Sequence, residues 1–237
     1  MGCDIHIWAE VKRSYPNKLV AQEWKAVGKV FKNEYFTADE PTTMYEDGYT
    51  FNEKLIDKPY DGRNYDLFAI LADVRNGEGF AGIDTGDGFN PIAEPRGVPD
   101  DASDFYLKQV KDWEADGHSH SFFTLAELKA YDWDQTTKHR GWVDVEQFKV
   151  FQSKGKPGNW SGGVSGSLVE HISNAEMKRR IKEKNLISVN HYYTLVEWEE
   201  TYAESVGDFL TKTIPELEKL LKLKMVHDVR IVFFFDN

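Results

Sequence analysis

The first eleven residues, MGCDIHIWAEV, alternate between apolar and polar. Cys3, Ile5, Ile7, Ala9 and Val11 fall on one side of an extended chain, and Asp4, His6, Trp8 and Glu10 on the other. That period of two predicts a strand over 3–13. EWKAVGKVF (23–31) predicts its partner, across a polar turn containing Pro16 and Asn17. HYYTLVEWEET (191–201) also reads as a strand, and VRIVFFF (229–235) is an unbroken β-branched and aromatic run of the kind buried on both faces. Helical spacing predicts a helix in YDLFAILADVRNG (65–77), with Phe68, Leu71 and Ala72 on one face, Asn64 as cap and Gly77 as stop. DASDFYLKQVKDWEADG predicts a helix ending at Gly117. TLAELKAY opens with Thr124 and Glu127 spaced as a capping box, and SNAEMKRRIKEKN is capped by Ser173. SVGDFLTKTIPELEKLLKL is helical with a break near Pro215.

Three stretches show no period. The segment 33–64 reads as a long loop or small insertion, 77–103 is irregular through its glycines and prolines, and 154–166 reads as a flexible loop. Both ends of the chain carry strand patterns, and neither a repeat nor a linker divides it. The pattern therefore predicts a single α+β domain over 1–237, with a mixed sheet holding both terminal strands, flanking helices and long irregular insertions. Neighbouring first and last strands would bring Asp236 and Asn237 to one end of the first.

Composition narrows the class. An apolar content of 41% with 14% aromatic excludes wholesale disorder across the 237 residues. The net charge of −11 argues against bulk nucleic-acid binding. One cysteine excludes an internal disulfide and a cysteine-rich zinc site, and fits a reducing cytoplasm. No apolar run reaches the length of a membrane span, and the start lacks the plan of a signal peptide. The opening MGCDIH departs from an acylation signal at His6, where that signal needs Ser or Thr. The expectation is a soluble, cytoplasmic protein.

Candidate chemistry lies in three places. Asp4 and His6, with Glu10 as a further ligand, offer carboxylate and imidazole groups suited to a divalent metal. In DGHSHSFFT, His118 and His120 share a face if the segment is extended, and would complete the ligand set. In GIDTGDGFN, Asp84 and Asp87 lie among glycines, and Asp87 is a reserve ligand or general base. Arg75, Arg96 and Arg140 are the cations best suited to an anionic substrate, with Arg75 placed in the catalytic set. Each has a plainer alternative: a solvent-facing polar row, two hydrogen-bonded loop histidines, a simple turn.

The order Asp4-Ile5-His6, Gly86-Asp87-Gly88-Phe89-Asn90, Gly117-His118-Ser119-His120 is similar to the motif order of calcineurin-like metallophosphoesterases. A G-N-H motif is missing between the last two, and the first two lie too far apart, so the similarity is one of chemistry. More specifically, MGCDIH with NYDLFAILADVRNG, HSHSFFTLAEL and the closing VFFFDN resembles a family of uncharacterised bacteriophage proteins along the whole chain. The resemblance implies a phage or prophage origin and the cytoplasm of an infected bacterium, and carries no catalytic assignment. The expected function is a metal-dependent hydrolase acting on a phosphoester or nucleotide, in which the metal activates water and arginine neutralises charge. The alternatives are a non-catalytic protein that sequesters a host protein or a signalling nucleotide, and a structural or assembly factor.

Overall fold

The computed structural model describes residues 2–14, 23–28, 30–32 and 54–237. The turn at Pro16 and Asn17 and most of the insertion lie outside the described residues. The N-terminal strand β1 (Asp4–Arg13) pairs antiparallel with the C-terminal strand, Val226–Asp236, in register from Asp4 opposite Asp236 to Val11 opposite Val229. This is the pairing that the two terminal patterns predict.

The segment 23–31 does not form one strand. Its first part, β2 (Trp24–Val27), pairs with β1, whereas β3 (Val30–Lys32) pairs with β4 (Lys54–Ile56) in a separate two-stranded ribbon. Next comes α1 (Tyr65–Ala72), capped by the Asn64 side chain as expected. It stops four residues before Gly77, at Asp73, whose left-handed φ of 57° ends the helix. Aspartate tolerates that conformation better than most side chains. Ser103 caps α2 (Asp104–Trp113), and a short 3₁₀ turn carries the chain to Gly117.

HSHSFFT is not a loop but strand β5 (His118–Thr124), which leads through the predicted Thr124–Glu127 capping box into α3 (Leu125–Ala130). Two elements had no legible pattern, β6 (Thr136–Val143) and α4 (Val145–Lys154). After β7 (Glu170–His171) come α5 (Asn174–Glu183), β8 (Tyr192–Thr201) and α6 (Tyr202–Val206). A π-helical turn over 209–213 precedes α7 (Ile214–Leu221). The helical interruption thus falls at Gly207, with φ 40°, and Pro215 stands in the first turn of α7, where its missing N–H costs nothing. The C-terminal strand Val226–Asp236 is β9.

The main sheet has the order β2-β1-β9-β5 and its pairs are antiparallel; the parallel pairing lies in a second sheet, β6-β8-β7. Both faces of the main sheet are covered. Ile5, Ile7, Ile231, Phe233 and Phe235 pack on one face against α1, Leu125 and Leu128 of α3, and Leu217 of α7. Trp8, Val232 and Phe234 pack on the other against Phe105 and Tyr106 of α2. In the second sheet Val143, Tyr192, Val196 and Trp198 pack on Phe148 and Met177 of α4 and α5. No helix among the described residues is long and apolar enough to cross a membrane.

The α2-covered face contains one buried ion pair. Glu10 and Arg230 stand opposite each other in the β1–β9 register with side chains 0% and 4% exposed. Arg230 Nε donates to Glu10 Oε2 at 2.7 Å, and Ser103 N donates to Glu10 Oε1 at 3.0 Å. The same guanidinium donates to Asp101 Oδ1 at 2.7 Å and lies 4.1 Å from the Trp24 ring. Removing the guanidinium strands the Glu10 carboxylate in the interior, so Arg230→Met is expected to cost about 3–5 kcal/mol, and Glu10→Met less, because Arg230 keeps Asp101. The double replacement Glu10→Met/Arg230→Met is expected to cost less than Arg230→Met alone. Urea unfolding of the three variants measures this, and a cost under about 1 kcal/mol for Arg230→Met contradicts it.

Candidate functional site

The sequence points to the end of the main sheet where β1 begins and β9 ends. Antiparallel pairing puts Asp4 opposite Asp236, two acids side by side. Their charge is met by cations from the segment before α1. Arg63 donates twice to Asp4, at 2.7 and 2.5 Å, which holds the Asp4 carboxyl below its usual range. Asp236 Oδ1 accepts from Asp4 N at 3.0 Å, and Oδ2 lies 3.3 Å from His6 Nε2. Lys58 Nζ lies 3.2 Å from His6 Nδ1.

These contacts settle the tautomer. Lys58 is a pure donor, so His6 Nδ1 accepts and Nε2 carries the proton toward Asp236. The ring sits 4.1 Å from Trp113 and 4.9 Å from Phe234. Burial, reinforced by Lys58, depresses the His6 pKa, so the ring is held neutral. Burial also lowers the Lys58 pKa.

The expected metal ligands do not converge. Glu10 is removed from the set by its ion pair with Arg230. His118 and His120 do not share a face, because Ser119 adopts a φ of 51° and shifts the register between His118 and Ser121. The bulge leaves His118 opposite Phe235, on the α1 side, and His120 on the α2 side against Phe234. His120 is 5.0 Å from the Phe234 ring, on the far side of β9 from His6, so a phenyl ring stands between the two imidazoles. Tyr106 donates to Phe233 O at 2.8 Å, and its hydroxyl lies 3.4 Å from His120 Nδ1. No set of three His, Cys, Asp or Glu side chains among the described residues is arranged to hold a metal ion.

Arg75 and Asn237 do reach this end of the sheet. Arg75 donates to Asn237 Oδ1 at 3.4 Å, and the Asn237 amide donates to His118 Nε2 at 3.1 Å. Cys3 lies in the core with its thiol pKa raised by burial. Arg96 is elsewhere, bound to Glu127 at 2.8 Å.

Asp87 belongs to a different neighbourhood. The loop carrying it adds to the edge of β6, with Asp87 N donating to Lys138 O and Arg140 N to Thr85 O. Asp84 and Asp87 both face Arg140 there, at 2.5 and 3.5 Å, so neither serves the His6 site. Nearby, buried His139 lies 3.1 Å from Ser205 Oγ and 3.5 Å from Glu200. Burial, with Glu200 close by, pushes Asp66 up to about 7. Sequence reasoning missed Lys58 and this second cluster, because their partners come from unpatterned segments.

Comparison of the chain with family models, curated proteins and solved structures finds no match.

The titrations separate by sign. Burial holds His6, His118, His120 and His139 below their ordinary pKa. Each therefore stabilises the fold fully above about pH 6.5, and that stability is lost as pH falls through the lower folded value. Asp66, raised to about 7, does the opposite and favours the folded state as pH falls from 7 toward 4. Thermal melts between pH 5 and 8 should show a shallower acid loss in His6→Gln and a steeper one in Asp66→Asn. At pH 8 Asp66→Asn should gain on the order of 1–3 kcal/mol, part of the cost of burial being offset by the α1 N-terminus. Parallel pH profiles in both variants and the parent contradict this.

Proposed function

We propose that this protein acts by binding a partner, and that the His6 site is a locked structural junction, not a catalytic centre. The observation that carries this is the occupation of His6. Lys58 engages one ring nitrogen and Asp236 the other, so neither is open to ligate a metal or to take a proton from a substrate. Asp4, the other acid of the expected set, is held bidentately by Arg63.

The resemblance to bacteriophage proteins supports the same choice. A phage product in the host cytoplasm that sequesters a host protein or a signalling nucleotide needs a complementary surface and no reactive group. The metal-dependent phosphoester hydrolase remains the rival, and it requires a divalent ion seated on Asp4 and His6.

The two separate on one pair of measurements. Purified protein should carry no stoichiometric divalent metal and should turn over no phosphodiester or nucleotide in a panel supplemented with manganese, magnesium or zinc. Metal at one equivalent, or metal-dependent turnover abolished by His6→Ala in a folded variant, overturns the binding assignment.

A further inference from the structure

The second sheet carries a groove that nothing above has used. β6 is an edge strand, and the segment after α4 folds back along it. Trp142 N donates to Ser161 O at 2.8 Å and Ser161 N to Trp142 O at 3.0 Å. Gln147 Oε1 accepts from Gly158 N and Asn159 N, both at 2.9 Å, so the segment is tied down on both sides. Gly141 lets it lie close: a Cβ there would stand 2.4 Å from the Trp160 ring. Between strand and segment lies a groove of about 470 Å³, within the range of small-molecule sites.

Its chemistry is specific. Trp142 and Tyr193 supply aromatic surface on the outer face of the sheet, while Trp160 packs over Gly141 and against Trp198 on the inner face, at the edge of the groove. Among the described lining residues there is no Lys, Arg or His, and the one charge is Asp144. Several polar atoms have no partner among the described residues. With Oε1 of Gln147 taken, its Nε2 is free; with Oδ1 of Asn159 accepting from Trp160 N, its Nδ2 is free. Asp144 spends one oxygen capping α4 and leaves the other, and the Tyr193 hydroxyl is likewise uncommitted.

We infer that this groove binds a neutral saccharide. Pyranose rings present an apolar face of C–H groups suited to indole and phenol surfaces, and an equatorial belt of hydroxyls that donate to a carboxylate and accept from amides. A phosphorylated ligand meets the Asp144 charge with no cation to offset it. The indole of Trp142 already stacks on His171 at 4.1 Å, so it offers a ligand one face, and nucleosides are the competing class in the test. The inference rests on the binding role proposed above and gives it a ligand class.

The test uses the full chain. Isothermal titration and tryptophan emission are followed against methyl glycosides and short oligosaccharides of glucose, galactose and N-acetylglucosamine, with adenosine and guanosine as the competing class. At least one saccharide is expected to bind and to shift the emission. Asn159→Ala and Tyr193→Phe are mild changes at the surface, and each should weaken that binding about tenfold while circular dichroism and melting stay unchanged, one hydrogen bond being lost in each. Trp142→Ala should abolish the emission change. Silence across the saccharides, binding that these folded variants leave intact, or a nucleoside binding in the groove instead overturns the assignment. Absence of saccharide binding does not touch the metal and turnover measurements on which the binding role stands.

Discussion

The pairing of β1 with β9 is the constraint on which the rest depends. It joins the two ends of the chain, Asp4 to Asp236, in one continuous antiparallel ladder. Closing a loop of that length costs about 5 kcal/mol in chain entropy, and no disulfide helps, since the one cysteine is free. The pairing is stabilised by what it buries. Ile5, Ile7, Phe233 and Phe235 on one face and Trp8 and Phe234 on the other are almost wholly excluded from water, each contributing about 1.5–3 kcal/mol. With both faces of the central pair apolar, both must be covered, and the intervening chain supplies α1, α3 and α7 to one and α2 to the other.

Polar groups on the α2 face then act on register. A one-residue slip of β1 against β9 would set Glu10 against Val229 or Ile231 and take its wholly buried carboxylate away from Arg230. Such slips are disfavoured by the cost of an unpaired buried charge, which a purely apolar strand pair could not impose. At the sheet end the same logic holds in weaker form. Two adjacent acids, Asp4 and Asp236, are tolerated because Arg63 and the Nε2–H of His6 meet their oxygens and Lys58, held on His6 Nδ1, adds its charge close by. From His6 to Glu10 the polar row of the first strand lines a second core, while Asp4 stands half-exposed at its end.

Much of the main sheet was legible because its strands are strongly patterned. The terminal runs, the Asn64 and Ser173 caps and the Thr124–Glu127 box are local signals, and local structure obeys them. Partner choice is not local. Alternation placed Asp4, His6, Trp8 and Glu10 in one row correctly, yet could not show that Arg230, 220 residues away, would answer Glu10. The His118–His120 pair failed through one residue, Ser119, whose left-handed backbone reverses the alternation. Strand β6 was hidden because its inward row is Thr137, His139, Gly141 and Val143, with one typical core side chain among them. Its outward row holds Trp142, and an indole among the half-buried polar residues of a strand was the one available sign of the groove.

The two sheets differ in how far their polar side chains are committed to one another. In the main sheet, buried polar atoms are paired within the chain, and each pair fixes the position of a strand or a helix end. Groups committed in that way have little left for a ligand. In the second sheet, the edge of β6 and the segment beside it fix their backbone by mutual hydrogen bonds and leave side-chain atoms of Gln147, Asn159, Tyr193 and Asp144 without a partner among the described residues. A rigid backbone with unspent donors around aromatic surface lowers the entropy lost on binding. The acids and imidazole concentrated at the start of the chain are engaged with one another and with Arg63 and Lys58 in holding the sheet end together. The recognition proposed for the groove draws on the atoms that the second sheet leaves over once its backbone is satisfied.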